Sequence, residues 1–116
     1  MTPPSPDPLT PLPAAVGFDR ARYHLFLCIG PDCCQPERGL VAWEHLKARC
    51  RELDIPVLRT KAACFRICTG GPWLLIYPDG AYYGGITPDR IDRILEEHVV
   101  GGHPVTAWLS GQHPLS

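Results

Sequence analysis

The chain has 116 residues, 45% of them hydrophobic and 20% charged, with a formal net charge of −1. That length accommodates one core rather than two, the apolar share excludes a wholly disordered chain, and the balanced charge excludes the basic footprint of a nucleic-acid or anionic-membrane binder. No apolar stretch approaches the roughly 18 residues needed to cross a bilayer, and the first residues lack the basic flank and apolar centre of a secretion signal, so the expected location is the cytosol.

In chain order, Pro3, Pro4, Pro6, Pro8, Pro11 and Pro13 crowd the first thirteen residues. Proline at this density removes backbone donors and fixes φ, so residues 1–17 read as a disordered leader and 18–109 as the folded domain. Tyr23–Cys28 (YHLFLC) is a buried strand ended by the turn formers Ile29-Gly30-Pro31-Asp32. From Leu40, the apolar positions Trp43, Leu46, Cys50 and Leu53 recur at helical spacing, which predicts an amphipathic helix that ends before Pro56 and turns Cys50 to the core.

Pro56–Thr60 suits a second strand, and Cys64–Gly71 (CFRICTGG) has neither period and reads as a loop. Trp73–Tyr77 and Ala81–Gly84 flank Pro78-Asp79-Gly80, which predicts a β-hairpin. Thr87 caps a last helix, with Pro88 at its first position and Ile91, Ile94, Leu95, His98 and Val99 along one stripe, before Gly101-Gly102 stops it. Residues 110–116 are expected to be a flexible tail. The order β-α-β-β-β-α is that of an α/β, thioredoxin-like fold, a mixed four-stranded sheet with two main helices.

Six cysteines are many for a chain without secretion features, and in a reducing compartment clustered thiols are more often metal ligands or redox groups than disulfides. Cys28 closes a strand, Cys33 and Cys34 lie in the loop after it, and Cys64 and Cys68 lie in a second loop. Loops held at strand ends by a rigid scaffold are where ligand groups converge. Two pairs of thiolates supply the four that a [2Fe-2S] cluster needs.

The pattern Cys28-x4-Cys33, a long gap, Cys64-x3-Cys68, Gly71-Pro72, Tyr77-Pro78-Asp79-Gly80 and Tyr83-Gly84 resembles the thioredoxin-like [2Fe-2S] ferredoxins. That family takes in free bacterial ferredoxins and the small cluster subunit of respiratory NADH dehydrogenase. The resemblance spans roughly residues 23–107, and the YPDG segment is more like the free ferredoxins. It implies a one-electron carrier, not an enzyme, whose partners are a reductase and an acceptor enzyme, and which often forms a homodimer.

By the same resemblance the cluster's iron is bound by Cys28, Cys64, Cys68 and one residue of the Cys33–Cys34 doublet, which departs from the family pattern. The four-residue gap from Cys28 favours Cys33, while counting back from the helix favours Cys34. Spacing across the loop tips the choice to Cys33, with Cys34 as the alternative. Cys50 has no counterpart in the pattern and is expected to pack in the core.

Two other chemistries compete. A structural zinc ion could use Cys28, Cys33, Cys64 and Cys68, although zinc ribbons mostly use Cys-x2-Cys knuckles. A thiol–disulfide oxidoreductase would carry a Cys-x-x-Cys motif, and the chain has none. His24, His45, His98, His103 and His113 lack metal-ligand spacing and are expected to fill ordinary surface or core roles. Arg59, Lys61 and Arg66 flank the second cysteine pair in sequence and either form a solvated surface or favour a reduced cluster, and Phe65 and Ile67 either shield it or fill the loop's underside.

Overall fold

The computed structural model describes residues 8–115. The first seven residues of the proline-rich leader therefore lie outside the described residues. Of the remainder, Leu12–Ala15 forms a single helical turn, α1, with no buried residue. Pro13 is compatible with it because the first turn of a helix leaves its N–H groups unpaired in any case.

The strands are β1 (Tyr23–Cys28), β2 (Val57–Ala62), β3 (Leu74–Tyr77), β4 (Ala81–Tyr83) and β5 (Leu109–Gln112), in the spatial order β2-β1-β3-β4-β5. β1 runs parallel to β2, from Tyr23↔Val57 to Cys28↔Ala62, and antiparallel to β3. A parallel pair needs a long crossover, and α2 (Pro36–Leu53) provides it. The sheet is mixed, as expected, and the thioredoxin-like α/β class holds.

The four-strand expectation is corrected by β5, which pairs with β4 through Ala81↔Gln112, Tyr82↔Gly111 and Tyr83↔Leu109. Its sequence, Leu-Ser-Gly-Gln, has little β-propensity and no alternating pattern. Pairing with the exposed edge of β4 makes it a strand, so residues 110–112 of the stretch expected to be a tail lie in the sheet. His113 and Leu115 continue the contact, their N–H groups donating to the Gly80 and Pro78 carbonyls at 2.9 and 3.0 Å.

One face of the sheet carries the core. Leu25, Leu27, Leu74, Ile76 and Tyr83 are fully buried there with Leu46 of α2 and Ile91 of α3 (Pro88–Ile94). Each such aliphatic side chain contributes about 1.5–3 kcal/mol on leaving water. α2 begins at Pro36, one turn earlier than the apolar period shows, and buries Gly39, Ala42, Trp43, Leu46 and Cys50. Leu40, expected at the head of that stripe, is exposed instead.

Thr87 caps α3 as expected, its hydroxyl accepting from the Arg90 N–H at 3.3 Å. From Leu95 to Val100 the helix widens into a π-helical turn that buries Leu95, His98 and Val99. His98 is fully enclosed: its Nδ1 lies 2.8 Å from the Tyr83 hydroxyl and its Nε2 2.6 Å from Asp79 Oδ2. The Val105 N–H donates to the same hydroxyl at 3.0 Å, so the one buried polar side chain among the described residues is satisfied on both ring nitrogens. His45 and Arg49 of α2 both reach Asp92 of α3, at 2.7 and 2.9 Å, and lock the helices together.

Cys50 provides a test of the packing. Burial pushes its thiol up from 9.0 to about 11, with Arg59 pulling it down. The unfolded thiol ionises first, so the stability this side chain gives is complete below pH 9 and is lost as pH rises towards 11. Cys50→Ala is expected to cost about 1 kcal/mol at pH 7, and melting curves should show the gap to the parent protein narrowing between pH 9 and 11. A gap that is the same at both ends would contradict the burial.

Candidate metal centre

Cys28 occupies the last position of β1, where the strand passes between β2 and the segment leading into β3. Its backbone N–H donates to the Trp73 carbonyl at 3.1 Å, and the Trp73 N–H donates in return to Cys28 Sγ, also at 3.1 Å. Burial, above all, raises the Cys28 thiol to about 12; hydrogen bonding to Cys33 adds to the rise and the Trp73 amide opposes it. The Trp73 amide therefore favours a negative sulfur at a place where burial disfavours one.

Cys33 is buried and Cys34 half-buried, their Sγ atoms 3.7 Å apart. The Cys34 thiol is pushed up to about 11, by burial first and then by its bond to Cys33, while Arg38 pulls it down. Cys33 thus lies beside Cys34, and it contributes to the upward shift of both neighbouring thiols, Cys28 and Cys34.

The second pair lies apart. Cys64 and Cys68 are exposed, on an irregular loop that turns at Arg66 with φ 68°, a left-handed conformation uncommon outside glycine. Among the described residues no three His, Cys, Asp or Glu side chains stand close enough together to hold a metal ion. The structure buries Cys28 and Cys33, half-buries Cys34 beside Cys33, and leaves Cys64 and Cys68 at the surface.

What joins the two loops is backbone. The Gly71 N–H donates to the Cys33 carbonyl at 2.9 Å. A Cβ on Gly71 would come within 2.7 Å of that oxygen and 2.9 Å of Cys33 Cβ, so only glycine allows the approach. The same limb is held at the Gly70 carbonyl by the Gly85 N–H, at 2.7 Å, and at the Pro72 carbonyl by the Ile86 N–H, at 3.0 Å. Pro72 is buried and follows a cis peptide bond, as do Pro31 and Pro78.

The flanking cations go elsewhere than their sequence positions imply. Arg59 and Lys61 lie over the Trp43 ring, 6.0 and 5.9 Å from its centroid, and Arg66 is exposed. Phe65 and Ile67 are half-buried. Trp73 is the residue that sequence reasoning passed over. It read as an ordinary strand residue, yet it precedes β3, and its indole Nε1–H donates to the Thr69 carbonyl at 2.8 Å.

No family model matches the chain. The chain is similar to "Ferredoxin, 2Fe-2S" of Clostridium pasteurianum, 38% identical over 55 residues, which is 47% of this chain and 54% of that protein. It is likewise similar to "Ferredoxin, 2Fe-2S" of Aquifex aeolicus, 39% identical over 54 residues, or 47% of this chain and 49% of that protein. The chain spans about half the length of these curated relatives. Among solved structures, a thioredoxin-like [2Fe-2S] ferredoxin from Aquifex aeolicus superposes with a TM-score of 0.72 at 25% identity, covering 82% of this chain and 96% of that one. In its sheet topology and in the cysteine pattern carried on it, the chain is similar to the thioredoxin-like [2Fe-2S] ferredoxins.

Proposed function

We propose that the chain holds a [2Fe-2S] cluster through Cys28, Cys33, Cys64 and Cys68, with Cys34 as the alternative to Cys33, and carries single electrons between a reductase and an acceptor enzyme. The observation that carries this reading is the backbone bond from Gly71 to Cys33, which fastens the loop of the second cysteine pair to that of the first. The donor set suits the group, since iron–sulfur clusters are held by thiolates from loops of this kind. A bound cluster would supply a one-electron couple.

The chain's own residues would then divide the work. Cys28 and Cys33 provide buried sulfurs, and the Trp73 N–H, 3.1 Å from Cys28 Sγ, stabilises negative charge there. Cys64 and Cys68 provide exposed sulfurs, so a partner would approach from the side of their loop. Electron transfer of this kind asks no acid, base or nucleophile of the protein. Among the described residues no helix is long and apolar enough to cross a membrane. The reading places the chain in a reducing compartment, the cytosol, which accords with six free cysteines. Pairing with a second copy, expected from the family resemblance, belongs to the same reading.

Protein purified without oxygen is expected to be red-brown, to contain iron and acid-labile sulfide in equal amounts, and to give a spin-half resonance only after reduction. A colourless preparation with stoichiometric zinc that resists reconstitution would overturn the reading. The doublet is resolved by Cys33→Ser and Cys34→Ser. A hydroxyl in place of a ligand thiolate should shift the visible spectrum and make the cluster labile, so Cys33→Ser should do both and Cys34→Ser neither. The reverse pattern would move the ligand to Cys34.

A further inference from the structure

Trp73 makes an unusual set of contacts. Its backbone N–H binds the sulfur of Cys28, while its indole N–H, 2.8 Å from the Thr69 carbonyl, binds the residue that follows Cys68. One residue thus holds the first cysteine by its main chain and the second cysteine loop by its side chain. The ring is no part of the hydrophobic core, because it belongs neither to the buried cluster nor to the partly buried side chains packed against it. It lies instead on two glycines: a Cβ at Gly70 would be 3.5 Å from the ring, and one at Gly84 only 2.8 Å from it. The loop and the end of β4 are therefore shaped around the indole.

We propose that Trp73 is a positioning residue for the second cysteine pair, holding the loop of Cys64 and Cys68 against the end of β1 so that their sulfurs can serve the same site as Cys28. This rests on the cluster reading above. A phenyl ring in its place would keep an aromatic surface and lose the N–H, and with it the tie to Thr69. The loop turns through a left-handed Arg66 and exposes both of its cysteines, and the tie to Thr69 comes directly after Cys68. That tie and the half-buried Phe65 and Ile67 together would order the loop, the tie fixing its end nearest Cys68.

The test compares Trp73→Phe with Cys50→Ala, which lowers stability from the buried side of α2 and touches neither loop. Two readouts are needed. The first is the rate at which loaded protein gives up iron to excess chelator without oxygen, together with the resonance of the reduced protein. The second is the rate of tryptic cleavage after Arg66, which reports on the loop whether or not iron is bound.

Trp73→Phe is expected to load normally, then to lose iron about fivefold faster, the order of one net hydrogen bond, with shifted resonance positions and faster cleavage after Arg66. Cys50→Ala should match the parent protein in all of these. Gly84→Ala, whose methyl displaces the indole, should behave as Trp73→Phe does, and adding it to Trp73→Phe should make little further difference. If Trp73→Phe fails to fold, Gly84→Ala decides alone. Parent-like iron loss and parent-like cleavage in the tryptophan variant would overturn the proposal, as would equal acceleration in Cys50→Ala. Parent protein that binds no iron would overturn the cluster reading instead, and cleavage after Arg66 would still decide the tie.

Discussion

The hydrogen bond from the Gly71 amide to the Cys33 carbonyl, 2.9 Å long, is the contact on which the relative position of the two cysteine loops depends. The two cysteine loops are separated by α2 and β2, and without a direct link their relative position would follow only from the ends of the strands that carry them. The link demands an approach so close that a single added carbon at Gly71 would meet Cys33 at 2.7 Å. The limb is then fixed on its other side by Gly85 and Ile86. Backbone bonds of this kind, shielded by a buried proline and a buried cysteine, hold geometry better than mobile side chains could, because no rotamer freedom is lost in making them.

The sheet makes that link possible. β1 lies between a parallel neighbour and an antiparallel one, so the direction and depth of its end are set from both sides. Cys28 stands at that end, and the exchange of bonds with Trp73 extends the β1–β3 pairing one step beyond the regular strands. The helices act at a distance. Asp92 gathers His45 and Arg49 and fixes α3 against α2, and the His98–Tyr83–Asp79 network ties the widened end of α3 to β4 and the hairpin turn. The stiff half of the molecule therefore carries Cys28 and Cys33, and the exposed loop carries Cys64 and Cys68.

Much of this was legible in the sequence. β1 was bounded to the residue, since its apolar run stops at strong turn formers; the hairpin and the Thr87 cap followed from local chemistry that tertiary contacts did not override. β5 was not legible, because Leu-Ser-Gly-Gln becomes a strand only through the edge of β4. Leu40 matched the helical spacing but lies off the buried stripe, as periodicity alone does not fix where a stripe begins. At the site, the cysteine spacing singled out two loops, while the contacts that Gly71 and Trp73 make between them join segments distant in sequence and could not be read from it. The destination of Arg59 and Lys61 was hidden for the same reason: strand alternation puts both on the face that meets Trp43 of α2.

The claim that the loops are fastened by backbone is tested most directly by native-state hydrogen exchange at the Gly71 and Trp73 amides in the cluster-free protein. Both N–H groups are engaged, one by a carbonyl and one by a sulfur, so both should exchange slowly, at rates near those of the β1 and β3 amides. Exchange at Gly71 as fast as in an open loop would mean that the two cysteine loops meet only once the cluster is bound, and would contradict the account.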